Sequence, residues 1–351
     1  MGTSEKIRVG FIGAGGIARH QMGFLAKMDD VEVVAAADVS EQALRDSKDI
    51  IAGLKTFAEY SEMLSKVELD AVSVCTPNYL HAQPTVDALE AGCAVIVEKP
   101  MAMNAGEAAS MVEAAEKAKK LLVIGFQNRF SAEADYLKRA IDAGMFGKIL
   151  YARCKTLRRR GIPNWGVFVR KDMQGGGPMI DIGVHIIEVA HYLMGSPKPV
   201  SVLGNTYTYI GDKKEKAEGV ACGTPNWDWE HYTVEDLATG IVKFDNGATL
   251  TIEASFAGHM KEEHSAVFMG EKAGASLWPP EIYKDEAGTM TDVTPAFLPK
   301  QDFFQRKMRH FIDCVQTGKP SMSPGLHGLL VQQILDGVYQ SAETGEEVRY
   351  D

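Results

Sequence analysis

The chain has 351 residues, of which 45% are hydrophobic and 24% charged, and carries a formal net charge of −10. That is apolar material enough for two domains of ordinary size and unlike a disordered composition. The acidic balance, with one short basic run at Arg158, Arg159 and Arg160, excludes wholesale binding to nucleic acid or an anionic membrane, which both require clustered Lys and Arg.

The longest uncharged apolar stretches, such as Leu121 to Phe126, fall far short of the ~20 residues that span a bilayer. The start "MGTSEKIRVG" lacks the apolar core of a signal peptide, so a cytoplasmic protein is expected. Lys6 stands where N-myristoylation requires Ser or Thr. The five cysteines, at 75, 93, 154, 222 and 314, include no Cys-x-x-Cys pair and read as reduced filler.

From Ile7 the text alternates strand and helix. "IRVGFI" is a buried strand, followed by a glycine turn and a helix; "VEVVAAA" and "DAVSV" are further strands, each leading to a helix; "CAVIV" precedes the helix "NAGEAASMVEAAEKAK" and the strand "LLVIG". Strands separated by helices imply a doubly wound parallel sheet. The first turn, Gly13-Ala14-Gly15-Gly16-Ile17-Ala18, matches G-x-G-x-x-A: Gly13 for the tight turn, Gly15 for close approach of a pyrophosphate, Ala18 for close helix packing. Asp38, 25 positions after Gly13, ends the second strand where a carboxylate accepts both ribose hydroxyls and repels a 2′-phosphate. NAD is therefore expected over NADP. Thr76, Asn78 and His81, after the third strand of this reading, are hydrogen-bonding candidates along the dinucleotide, and Glu98 and Lys99 end a buried strand where they would face the nicotinamide end.

"DIGVHIIEVAHYLMG" reads as a helix stopped by Gly195. Asp181 and His185 are i and i+4, and Glu188 follows three further on, giving one polar face on an apolar helix. Such a face needs a wet cleft, because each unsatisfied buried polar group costs roughly 1 to 3 kcal/mol. No third ligand accompanies Asp181 and His185, so the site is read as metal-free. His191 points elsewhere and is read as structural.

The glycine turn, "TPN..H" and "EKP" together resemble the glucose-fructose oxidoreductase, inositol dehydrogenase and MocA family, and the likeness continues through "GFQNRF", "AGMFGKI", "GGGPMIDIGVHIIEVAHYLMG" and "VEDLATGIVKFDNGA". It implies an α/β protein with a Rossmann domain over residues 1–124. A substrate-binding and oligomerisation domain with a large, open, predominantly antiparallel sheet would occupy 125–351, its terminal helices (302–317 and 326–343) free to pack back towards the first domain. It also implies a homodimer or homotetramer formed through that sheet.

The resemblance further implies an NAD-dependent dehydrogenase acting on a secondary alcohol of a sugar, cyclitol or sugar derivative. His185 and Asp181 are the acid-base pair, and Lys99 polarises the hydroxyl; which of Lys99 and His185 formally takes the proton stays open. Gln127 joins the cofactor set of Gly13, Ala14, Gly15, Gly16, Ile17, Asp38, Thr76, Asn78, His81, Glu98 and Lys99. Arg160, Trp165, Glu188 and Tyr232 join the catalytic trio as substrate contacts. Two other readings stand beside it: an NAD-dependent glycoside hydrolase working by transient sugar oxidation, and a catalytically silent NAD-binding sensor.

Overall fold

The computed structural model describes residues 6–218 and 224–350, so Cys222 and the Met1-Gly2-Thr3 start lie outside the described residues. The chain forms two compact units, one of residues up to 127 with 302–329, the other of 128–301 with 330 onward. In the first stretch β1 (Ile7–Ile12), α1 (Gly16–Leu25), β2 (Val31–Ala37), α2 (Glu41–Ile50), β3 (Lys55–Phe57), α3 (Tyr60–Lys66), β4 (Ala71–Val74), α4 (Ala82–Glu90), β5 (Ala94–Val97), α5 (Ala105–Ala118) and β6 (Leu122–Ile124) alternate. Then come α6 (Ala132–Asp142), β7 (Ile149–Leu157), α7 (Lys171–Gln174), α8 (Val184–Leu193), β8 (Pro199–Tyr207), α9 (Lys214–Ala217), β9 (Leu237–Phe244), β10 (Thr249–Ser255), β11 (Glu263–Gly270), β12 (Ala273–Ser276), β13 (Glu281–Glu286) and β14 (Thr289–Val293). The chain ends with α10 (Phe303–Thr317), α11 (Gly325–Thr344) and β15 (Val348–Arg349).

The first unit is built on a six-stranded sheet in the order β3-β2-β1-β4-β5-β6, every pairing parallel. Every residue of β4, β5 and β6 is buried, which is why these strands read as unbroken apolar runs rather than alternating ones. The order reverses between β1 and β4, the switch point at whose carboxyl edge open α/β sheets hold ligands. Local chemistry sets the helix ends. Asn104 Oδ1 accepts from Glu107 N at 2.9 Å while Glu107 Oε2 accepts from Met103 N at 3.1 Å, a reciprocal box at the start of α5. Asp302 caps α10, which Gly318 ends at φ 67°. The apolar face of α10, Met308, Phe311 and Ile312, completes the core around Phe11, Ala14 and Met22.

One polar system runs through this unit. At the end of β5 the Glu98 carboxylate accepts from Lys307 Nζ on α10 and from Gln21 Nε2 on α1, each at 2.7 Å, and Gln21 Oε1 accepts from Ser73 Oγ on β4 at 2.7 Å. The Lys307 side chain is fully buried. Burial alone would raise the Glu98 carboxyl, but Lys307, helped by Lys99, outweighs it and holds the group below its usual range. The acid that ends the apolar strand thus ties α1, β4 and α10 together.

The second unit carries a nine-stranded sheet ordered β14-β13-β12-β11-β7-β10-β9-β8-β15, antiparallel throughout except for β7 and β10. Its central strands alternate buried and more exposed positions, as in β9, so one face packs against a core and the other stays open. A second core gathers Ile162, Trp227, Tyr232 and Phe256. Among the described residues no helix is long and apolar enough to cross a membrane.

Removing one partner of a buried ion pair leaves a charge that cannot be hydrated, a cost of about 3–5 kcal/mol. Lys307→Met is expected to lose about that much in denaturant unfolding, with partial recovery in Lys307→Met/Glu98→Gln. Because Glu98 is held below 4.5, its contribution is complete above that pH and lost as pH falls below it. An acid limb of the stability curve that is shallower in the double variant than in the wild type is the check, since Asp30 and Glu263, also held low, still contribute to it.

Candidate functional site

Gly13 sits at φ +90°, and a Cβ there would come within 2.6 Å of the Cys75 carbonyl oxygen. Both the backbone angle and the fit against β4 therefore demand glycine. By contrast, a Cβ on Gly15 or Gly16 would meet nothing within 4 Å, so the turn presents an open concavity at the start of α1. No side chain caps that helix start and no acid lies in its first turn, leaving its partial positive charge for an anion. Ala14 and Ala18 are fully buried, and Ile17 is half-buried. These residues fit the pyrophosphate of a dinucleotide.

Asp38 follows β2, where its Oδ2 accepts from Ala14 N and its Oδ1 from Ser40 N, both at 2.7 Å. The carboxylate thus holds the glycine turn while each oxygen keeps a further lone pair. After β4, Thr76 Oγ1 donates to Leu80 O at 2.8 Å, and Asn78 lies buried in the short turn Asn78–Leu80. His81 is buried, with Nδ1 at 2.7 Å from Pro100 O and Nε2 at 2.9 Å from Thr76 O. Burial holds its imidazole below the usual range. A neutral ring donates to only one of those carbonyls. His81 ties the loop after β4 to the loop after β5, on which Lys99 is half-buried. Glu98 points into the buried network described above, and Gln127, half-buried, begins the short turn Gln127–Phe130.

In the second unit residues Met179–Gly183 wind as one π-helical turn that leads directly into α8. A single α-helix was the expectation; the wider turn resets the facing of Asp181 relative to His185. From 179 to 191 only Asp181 and His185 are not buried. Glu188 is the third member of the expected stripe and lies elsewhere: its side chain is fully buried, with Oε2 accepting from Arg129 Nε at 2.7 Å, and burial pushes it up to about 7. Arg129 lies over the Tyr192 ring at 4.7 Å, and Asn128 Nδ2 donates to the His185 carbonyl at 3.1 Å. His191 is buried with Nε2 on Pro197 O at 2.7 Å.

The π turn is held from below by a residue that sequence reasoning did not single out. Glu235 accepts from Gly177 N at 2.9 Å, Met179 N at 3.2 Å and Tyr339 Oη at 2.8 Å. Three donors on one buried carboxylate cap the segment that displays Asp181. The packing is tight: a Cβ on Gly176 would come within 2.1 Å of Tyr339 Oη. The only sequence signals were "GGGP" and "VED", neither of which names its partner. The neighbouring Asp236 accepts from the amides of Tyr209, Ile210 and Gly211 and from Tyr232 Oη. Tyr232 is accordingly buried. Arg160 donates to the carbonyls of Arg159 and Gly258, and Trp165 is 61% exposed, edge-on to Phe168. Among the described residues no group of three or more His, Cys, Asp or Glu is placed to hold a metal.

A glycine turn shaped for pyrophosphate on a 3-2-1-4-5-6 sheet specifies a dinucleotide fold, and comparison with known proteins identifies the lineage. Residues 7–126 match the GFO/IDH/MocA oxidoreductase family with an NAD-binding Rossmann fold, and residues 138–349 match its C-terminal α/β domain. The chain belongs to this family. It is 37% identical over 351 residues to D-glucoside 3-dehydrogenase of Escherichia coli K12, covering 99% of this chain and 98% of the relative. It is 24% identical over 351 residues to myo-inositol 2-dehydrogenase of Thermotoga maritima, covering 98% and 99%. The solved structure of levoglucosan dehydrogenase in complex with NADH has a TM-score of 0.82 at 20% identity, covering 99% of this chain and 100% of that one. The protein is thus an NAD-binding GFO/IDH/MocA oxidoreductase with sugar and inositol dehydrogenases among its relatives.

Three substitutions check these supports. Tyr339→Phe removes one donor from Glu235 and is expected to cost about 1–2 kcal/mol in thermal or urea unfolding. Gly13→Ala is expected to lower the melting temperature far more than Gly15→Ala does, since only the former strains the backbone and meets the Cys75 carbonyl.

Proposed function

We propose that this GFO/IDH/MocA protein is an NAD-dependent dehydrogenase that oxidises a secondary hydroxyl of a sugar or sugar derivative, with glucosides the first class to try. The observation that carries the reading is the exposure pattern: from 179 to 191 Asp181 and His185 alone are not fully buried, while Glu235 holds the backbone before Asp181 and Asn128 holds the His185 carbonyl. The kinship with a D-glucoside 3-dehydrogenase supports the substrate class. When bound, the nicotinamide supplies the hydride acceptor.

An alcohol that loses hydride must also lose its hydroxyl proton, and imidazole titrates in general near neutrality, where it accepts a proton readily. His185 is the proposed base. Asp181 orients the imidazole and stabilises its protonated form, and the Lys99 ammonium donates to the hydroxyl oxygen and favours the alkoxide as it develops. Glycine-turn amides and Asp38 are the proposed pyrophosphate and ribose contacts. Thr76 and Gln127 lie further along the dinucleotide, and His81 and Glu98 act by holding the loop that bears Lys99. Tyr232 and Glu188 support the substrate wall from within, while Arg160 and Trp165 approach the substrate from their loop. The open face of the nine-stranded sheet, where Leu203, Ile241 and Met269 are about half exposed, is the proposed surface of self-association.

The test is NADH absorbance with NAD⁺ and a panel of glucosides, free pyranoses, cyclitols and linear polyols. Turnover is expected on at least one cyclic substrate, with His185→Ala and Lys99→Ala each lowering kcat by roughly 10²- to 10⁴-fold. No turnover across the panel would defeat the proposal. Asp38→Ser is expected to raise the KM for NAD⁺ by about ten-fold, the loss of charge-assisted hydrogen bonds, and to narrow its preference over NADP⁺. A melting curve separates this from loss of the Ala14 contact.

A further inference from the structure

We propose that His264 and Trp278 form an aromatic wall for the apolar face of a closed sugar ring; this deepens the sugar-oxidising reading above and rests on it. Both residues and the strands that carry them lie within the second unit. The ladders set Ala254 of β10 beside Thr156 of β7, and Thr156 beside His264 of β11. Residues paired across a ladder point to the same face. That face carries the π turn, because a Cβ on Gly183 would lie 3.2 Å from Ala254 Cβ. On β11 the same-facing Ala266 and Phe268 are buried, whereas His264 is exposed. Cover by the helical segment therefore ends between Ala266 and His264. With strands about 4.8 Å apart, His264 stands two spacings, about 10 Å, from the Ala254 position beneath Gly183. That span accommodates one sugar ring, and the turn flanking Gly183 bears Asp181 and His185.

The His264 and Trp278 rings are stacked, with centroids 4.8 Å apart and planes at 28°. His264 Nδ1 lies 3.3 Å from Thr156 Oγ1. Although the residue is exposed, its ring is partly desolvated, and this, with the Arg158 charge, holds the imidazole below its usual range, so that it stacks as an uncharged aromatic at neutral pH. A pyranose has a face of C–H bonds and a rim of hydroxyls. A flat aromatic pair buries the first, and Thr156, buried beneath it, steadies the His264 ring. A linear polyol presents no such flat face, so the wall selects closed rings.

The experiment compares the full-length wild type with Trp278→Phe, Trp278→Leu and His264→Ala, at saturating NAD⁺, on a methyl glucopyranoside and on sorbitol. Calorimetry of the same sugars runs in parallel, and melting curves check folding. Trp278→Leu and His264→Ala are expected to raise KM and Kd for the pyranoside about ten-fold, the worth of an aromatic contact. Their kcat should stay within about three-fold, since ring binding is common to ground and transition states. Trp278→Phe should behave as wild type, which separates an aromatic requirement from a packing one; if Trp278→Leu does not fold, His264→Ala decides. Wild-type KM and Kd in the leucine and alanine variants would overturn the wall while leaving the dehydrogenase reading intact. Wild type that binds the pyranoside without oxidising it, with binding lost in Trp278→Leu, would overturn the dehydrogenase reading and keep the wall. Wild type that neither binds nor oxidises any closed-ring sugar would end both.

Discussion

A carboxylate removed from water must be met by donors on every side, and this requirement organises both units. Glu98 is the case in the first. The acid lies at the end of a fully buried strand, and its charge is matched by the buried ammonium of Lys307 and the amide of Gln21. Lys307 comes from α10, more than 200 positions later. The parallel sheet is therefore completed by a helix from the far end of the sequence, and the ion pair fixes where that helix lies. Apolar packing by Met308, Phe311 and Ile312 supplies adhesion without direction; the ion pair supplies a register.

Glu235 repeats the arrangement in the second unit. Its three donors come from the approach to the π turn and from α11. The carboxyl is raised by burial yet lies against hydrogen-bond donors that favour its charged form. Local geometry around the proposed reactive groups is consequently stiff. Asp181 and His185 are carried on a backbone whose amides and carbonyls are engaged by side chains on other elements, an arrangement that limits reorganisation when charge develops. The buried Arg129–Glu188 pair, one turn beyond His185, adds to it.

Much of this was legible in the amino-acid order. The strand-helix alternation, the glycine turn before α1 and the position of Asp38 after β2 depend on local rules of backbone angle, packing at short range and spacing, and the structure has them in those places. The helical run at 179–193 was legible from its apolar periodicity, but its π turn was not, because periodicity does not distinguish a widened turn from an α turn over five residues. Glu188 read as part of an exposed stripe. Its burial depends on Arg129, a partner 59 positions away on the turn before α6.

By itself, then, the sequence determined the fold class, the dinucleotide turn and the family, all of which rest on short-range patterns that survive in any chain folding this way. Tertiary structure decided which polar residues face solvent and which hold the scaffold. Glu98, His81, Glu188 and Tyr232 turned inward onto Lys307, backbone carbonyls, Arg129 and Asp236, while Asp181 and His185 stayed at the surface of a buried segment. The physical reason is that a polar side chain's role is set by its donors and acceptors, and these come from elements distant in sequence that only folding brings within hydrogen-bond reach.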